Sequence, residues 1–251
     1  MVAVVVAAGL GLRYGGTKPK QTLRILGKAV VAMAVEGLAA GGVTDAVVVI
    51  NGRTSHLFHM ALTGLPIPVI TTPGGDTRQQ SVERGLDVIR NDPRLAEADV
   101  ILVHDAVRPM MPAYVVEDVI KAVRAGAVAV APAVAVTDSI RLVPNGDESE
   151  NSAFDRSKLR AVQTPQGFAA KVLLESHDRM AELGRDFTDD VTACEMNGHS
   201  VTLVPGSRMG MKITEPADLT VAKALWRVRA SFGHHSGKRF WRQLHRPAVG
   251  R

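Results

Sequence analysis

One cysteine, Cys194, stands among 251 residues, which excludes an intrachain disulfide and any zinc site built from several thiolates. That scarcity predicts a reducing, cytoplasmic setting. Aromatic residues make up only 4 % of the chain, so its core must be assembled from Val, Ala, Leu and Ile. Long apolar runs are missing too. The stretch Val2 to Ala8 is far shorter than a membrane span, Gly9 interrupts it, and no basic region precedes it as a secretory leader requires. It reads as a buried first strand, and no membrane partner is expected. The phosphate loop of kinases and ATPases, G-x-x-x-x-G-K-[ST], is also missing: Gly11 to Gly16 is followed by Thr17, and Lys18 precedes Pro19.

Acidic residues are absent from the last 25 positions. The whole chain carries 30 Lys and Arg against 25 Asp and Glu, and seven of those basic residues lie in 227–251, leaving 23 basic against 25 acidic groups in the remainder. A globular body over 1–226 with a basic, disordered tail over 227–251 is therefore expected. His234 and His235 in that tail lack partners at metal-ligand spacing. Phe240 and Trp241 leave an RNA or anionic-surface contact as a rival reading of the tail, although no nucleic acid is expected as the main partner.

What is present begins at the N-terminus. The strand runs directly into a glycine-rich loop that bears Arg13, Lys18 and Lys20. Such a loop can lay backbone N–H groups against a polyphosphate while the cations neutralise its charge. A dinucleotide-binding fingerprint fits poorly, because position 14 is Tyr and the next strand ends in Asn51 rather than a carboxylate. A triphosphate is the better match.

Apolar β-branched runs at Val2–Val6, Ala46–Ile50, Pro68–Ile70 and Val100–Val103 are joined by weaker strands at Ala127–Val130 and Ser200–Val204. Helical spacing fills Val30–Ala40, Arg78–Ile89, Ala113–Ala125, Ala169–Leu183 and Asp189–Asn197. This alternation predicts a single α/β domain, Rossmann-like, with a mostly parallel sheet, helices on both faces and ligands at the carboxyl ends of the strands. Residues 137–163 break the pattern. A Pro144-Asn145-Gly146 turn between two extended stretches predicts a projecting β-arm, and an arm too small to be stable alone predicts a homodimer joined through it.

Polar motifs follow the strands. Gly74-Gly75-Asp76 lets the backbone approach a flat ring, with Asp76, Arg78 and Ser81 able to bond to base and ribose edges; the plain alternative is a helix N-terminus capped by Asp76 or Thr77. His104-Asp105-Ala106-Val107-Arg108-Pro109 puts one carboxylate where it can hold Mg²⁺ or a ribose hydroxyl, and Arg108 where it can grip phosphate. His104 reads as a packed neighbour rather than a base. Arg156 and Thr164 flank the return of the arm, Thr188 and Asp189 start a helix, and Lys212 follows a turn.

In this order the motifs A-A-G-x-G-x-R, P-K-Q, G-G-D-x-R-x-x-S-V, V-H-D-A-x-R-P, D-R-x-x-L, T-P-Q-x-F, T-D-D and K-I-T-x-P-x-D-L resemble the 2-C-methyl-D-erythritol 4-phosphate cytidylyltransferase family over about Val2 to Leu225. The resemblance implies transfer of CMP from CTP to methylerythritol phosphate with a divalent cation, Mg²⁺, and release of pyrophosphate. By position it implies catalytic roles for Arg13, Lys20, Arg156 and Lys212. It also implies a nucleotide pocket of Ala7, Ala8, Gly9, Gly11, Gly75, Asp76 and Ser81, metal or substrate binding at Asp105, and acceptor contacts from Arg108, Ser139, Thr164 and Thr188. Arg108, Arg156 and Thr164 are candidates to act across the dimer. Two departures stand out: Ser139 replaces the usual threonine, and Met209-Gly210-Met211 replaces a segment with Asn and a branched residue. Rival readings are a sister enzyme acting on another polyol phosphate such as ribitol 5-phosphate, a dinucleotide reductase, and a catalytically dead binding module.

Overall fold

The structure, a computed structural model, describes residues 1–9 and 19–231. Gly11, Arg13 and Lys18 lie outside the described residues, as do positions 232–251 of the basic tail.

Among the described residues, eight strands form one sheet. Its centre is β1 (Val2–Val6), flanked in parallel by β4 (Asp45–Ile50) and β6 (Val100–Asp105), with β5 (Val69–Pro73) beyond β4. On the other side β11 (Gln166–Ala169) inserts antiparallel between β6 and β7 (Ala129–Ala135). β10 (Arg160–Val162) and β12 (Val201–Pro205) pair with β7, antiparallel and parallel respectively.

Continuous valine runs suit a strand covered on both faces, and the alternation shows which residue goes where. Ala3, Val5, Ala46, Val48 and Leu102 point to one side, against α1 (Val30–Ala40) and α4 (Ala113–Arg124). Val2, Val4, Val47, Val49, Ile101 and Val103 point to the other, against α3 (Arg78–Asn91), α5 (Ala170–Glu182) and α6 (Asp190–Met196). Each fully buried Val or Leu contributes roughly 1.5–3 kcal/mol. With so few aromatics, this repetition builds the core.

Several elements differ from the sequence expectation. β11 has no counterpart there, because Gln-Gly-Phe-Ala has no strand pattern of its own; its place comes from pairing with β6 and β7. A short helix, α2 (Ser55–Ala61), and a small hairpin of β2 (Arg24–Ile25) and β3 (Lys28–Ala29) are likewise additions. The arm is shorter than 137–163. Only β8 (Ile140–Leu142) and β9 (Ser152–Phe154) form the ribbon, whereas β10 belongs to the main sheet because its backbone pairs with the end of β7. Finally, α7 (Pro216–Ser231) crosses the expected boundary at 226, so residues 227–231 are helical rather than disordered tail. Leu219, Ala222, Leu225 and Trp226 pack with Ile25, Met33, Met110 and Ile213, which gives the helix a reason to continue. No helix among the described residues is long and apolar enough to cross a membrane.

Candidate active site

The carboxyl ends of β1, β4, β5 and β6 converge on one rim. Beyond β1, Ala7 N–H donates to Val49 O at 2.8 Å, and the chain continues into Ala8 and Gly9. Gln21 Nε2 donates to Gly9 O at 3.0 Å, so the 3₁₀ turn Lys20–Thr22 is tied to the end of β1 and Lys20 is set beside it.

The loop after β5 makes a close approach that only glycine permits. A Cβ on Gly74 would lie 2.3 Å from Ala8 Cβ and 2.8 Å from Ser81 Oγ; one on Gly75 would lie 2.4 Å from Gln80 Cβ. Ser81 Oγ accepts from Gly75 N–H at 3.2 Å and donates to Thr77 O at 2.9 Å, which helps fix the shape of the loop. Thr77 caps α3 in a capping box with Gln80, whose Oε1 also accepts from Asp76 N–H at 2.8 Å. The expected cap is thus present alongside the bare backbone surface. Asp76 itself is exposed.

Asp105 closes β6 at the centre of the rim and is only 7 % exposed. Three cations face it. Lys212 Nζ lies 2.9 Å from Oδ2, Arg108 Nε 3.6 Å from Oδ2, and Arg78 Nε 3.6 Å from Oδ1. Burial pushes the Asp105 carboxyl up, but Lys212, Arg78 and Arg108 outweigh it and bring it down to about 2. It stays ionised throughout the physiological range. The neighbouring His104 is 1 % exposed, with Nδ1 3.0 Å from Thr164 Oγ1 and Nε2 3.3 Å from Arg108 O. Burial depresses its imidazole to about 4, so it is neutral and packed, as its sequence context implies.

Lys212 owes its place to its neighbours. Ile213 is fully buried under α7 and its N–H donates to Val107 O at 2.8 Å, while Arg108 Nη1 donates to Gly210 O at 2.8 Å. The segment is thereby clamped on both sides of the lysine. Arg108 Nη1 thus braces Gly210, while its Nε faces Asp105 at 3.6 Å without a hydrogen bond. Thr164 is turned inward at 5 % exposure, its Oγ1 accepting from Asp105 N–H at 3.0 Å, so it braces the rim of its own chain.

Arg78 departs from the expected base or ribose edge: its Nη2 lies 2.8 Å from Asp190 Oδ2 while Nε faces Asp105. The T-D-D and T-P-Q-x-F motifs contain Asp190 and Gln166 without marking either as a site residue, His177 lies in no motif, and positions 112 apart, as Asp190 is from Arg78, share no local pattern. Asp189 serves as the cap of α6, accepting from Thr192 N–H at 3.1 Å. Thr188 and Ser139 are exposed. Arg156 sits on an exposed turn at the base of the arm, where its guanidinium donates to Thr137 O, and it joins none of the contacts described around Asp105. Gly11 and Arg13 lie outside the described residues.

A rim where the backbone is bare of side chains, and where cations outnumber the carboxylate they surround, suits a nucleotide and its phosphates; this puts the chain in the class of α/β nucleotidyltransferases. Comparison with known proteins narrows that class. The family model for 2-C-methyl-D-erythritol 4-phosphate cytidylyltransferase matches residues 1–228, and the chain belongs to that family. Proteins of that name from Saccharopolyspora erythraea and Streptomyces coelicolor are 39 % and 37 % identical to it, covering 90 % and 89 % of this chain and 98 % and 83 % of their own. The crystal structure of the Thermus thermophilus protein of that name is 30 % identical and superposes with a TM-score of 0.73, covering 90 % of this chain and 98 % of its own.

Proposed function

We infer that this chain transfers CMP from CTP to 2-C-methyl-D-erythritol 4-phosphate, giving 4-diphosphocytidyl-2-C-methyl-D-erythritol and pyrophosphate in isoprenoid biosynthesis. The observation that carries the reading is Asp105 ringed by Lys212, Arg78 and Arg108 beside the Gly74-Gly75 loop.

The chemistry asks for charge control more than for a base. The attacking group is already a phosphate anion, and its obstacle is repulsion from the triphosphate it must approach. Lys20, on the turn tied to the end of β1, and Lys212, beside Asp105, supply positive charge where negative charge builds up, in the transition state and on the departing pyrophosphate. Arg13 belongs with them by its position in the family motif. His104, neutral and engaged at both ring nitrogens, fits no proton-transfer role.

Asp105 also fits a divalent cation. It is an ionised hard-oxygen donor, but a single one, and no group of three or more metal-ligating side chains exists among the described residues. Such a donor suits Mg²⁺ held mostly by the triphosphate and water, with one protein oxygen. Bound there, the ion would neutralise triphosphate charge.

The arm supports a homodimer. Leu142 and Phe154 on the ribbon are 49 % and 42 % exposed, and a two-stranded ribbon is marginal unless packed. Arg156 at its base is then available to the partner's acceptor site. The single buried Cys194 suits a cytoplasmic enzyme.

The test is pyrophosphate release with CTP, UTP, ATP and GTP, each against methylerythritol phosphate and ribitol 5-phosphate. Activity confined to CTP with methylerythritol phosphate is expected. Preference for ribitol 5-phosphate would transfer the chain to a sister activity, and no release with any pair would overturn the reading.

A further inference from the structure

We propose that Asp190 is a positioning residue for the reaction centre: it takes the Arg78 Nη2, so that Arg78 faces Asp105 through Nε at 3.6 Å and does not close on that carboxylate with both prongs. The inference rests on the functional reading above. Asp190 is fully buried at the start of α6, and both of its oxygens are engaged. Oδ2 takes the Arg78 Nη2 at 2.8 Å, and Oδ1 lies 3.2 Å from His177 Nε2. His177 is 1 % exposed, and because an ionised carboxylate can only accept, its ring donates to Asp190 through Nε2. Gln166 Oε1 accepts from the N–H groups of Asp190 and Val191 at 3.0 and 3.1 Å, which fixes the backbone beneath the carboxylate. The anion cannot follow Arg78 if Arg78 moves.

Arg78 is the more exposed partner. Its side chain is 30 % exposed, and it sits between two carboxylates at unequal distances, 2.8 Å from Asp190 and 3.6 Å from Asp105. A guanidinium released from the first would close on the second in the two-pronged geometry that arginine favours with carboxylates. Asp105 already has Lys212 at 2.9 Å and Arg108 at 3.6 Å; a fully engaged Arg78 would saturate it and would draw the site's positive charge away from the phosphates. Stability alone explains the pair less well, since a buried ion pair often gains little over well-packed apolar side chains. Its location, one side chain from the reaction centre, is what assigns the role.

The test is a double-mutant cycle on the full chain, using Asp190→Asn, Arg78→Gln and the two together, with kcat and the KM for each substrate measured below the melting point of every variant. Asp190→Asn is expected to lower kcat at least about 10-fold. The double variant is expected to be no slower than Arg78→Gln alone, because no guanidinium remains to collapse. A purely structural role would instead give losses that multiply, and that result, or an Asp190→Asn enzyme within about twofold of wild type, would overturn the proposal. If Asp190→Asn does not fold, His177→Gln loosens the same carboxylate and takes its place, with an expected loss of at least about 3-fold and the same suppression by Arg78→Gln. A wild-type protein without turnover would refute the functional reading. Calorimetric CTP binding by the same proteins then decides the positioning claim: weakening by the first substitution that Arg78→Gln suppresses supports it, and independent effects overturn it.

Discussion

At the scale of single residues, the rim combines a group that must keep its charge with one that must not gain any. Asp105 is held near 2 by its cations and His104 near 4 by burial. For His104 the sign follows from linkage: between its ordinary value of 6.5 and about 4, the unfolded chain takes up a proton that the folded chain refuses. Its contribution to stability is complete above pH 6.5 and is lost as pH falls through 4, roughly 3 kcal/mol in all. Urea unfolding across pH 7 to 4 should show this decline, and His104→Gln should flatten it. A variant with the same slope as wild type would mean that His104 is protonated in the fold. His104 was legible as a packed residue because an apolar strand precedes it. Arg78 and Asp190 were legible as members of separate motifs but not as a pair, since nothing local records that the first residues of α3 and α6 are joined by an ion pair.

At the scale of elements, two contacts transmit sequence to the site. α3 lies on the sheet because Gly85 has no side chain: a Cβ there would come within 2.5 Å of Val4 Cγ1 and 3.1 Å of Val49 Cγ2. Gly85→Ala should destabilise the fold by about 1–3 kcal/mol through overpacking, read as a lowered urea midpoint at unchanged slope. The second contact is Ile213. Ile213→Ala should cost about 2–5 kcal/mol and should also reduce kcat, because the same residue seats Lys212 against Asp105. Full turnover in a destabilised Ile213→Ala protein would separate Lys212 from its supposed clamp. Most strands and helices were visible from β-branched runs and helical spacing. β11 was not, since its conformation comes from distant partners, and α7 was obscured because its apolar face runs into the basic residues after 226.

At the scale of the whole molecule, the alternation of strands and helices predicted the covered sheet and its carboxyl rim, but not that β10 and β11 both join it antiparallel. The ordered motifs indicated the family, and their positions on different strands explain why residues as distant as Gly75 and Lys212 serve one rim. The assembly carries its own prediction: light scattering should give a dimer at micromolar concentration, and Phe154→Asp on the arm should shift it toward monomer and lower activity together. A fully active monomer would remove the arm from the account. The central claim is that positive charge at this rim lets one phosphate attack another. It is tested most directly by the initial rate of pyrophosphate release at saturating CTP and methylerythritol phosphate, for wild type, Lys212→Ala and Lys20→Ala. A fall of at least about 10²-fold in each variant is predicted; near-normal turnover in both would contradict the account.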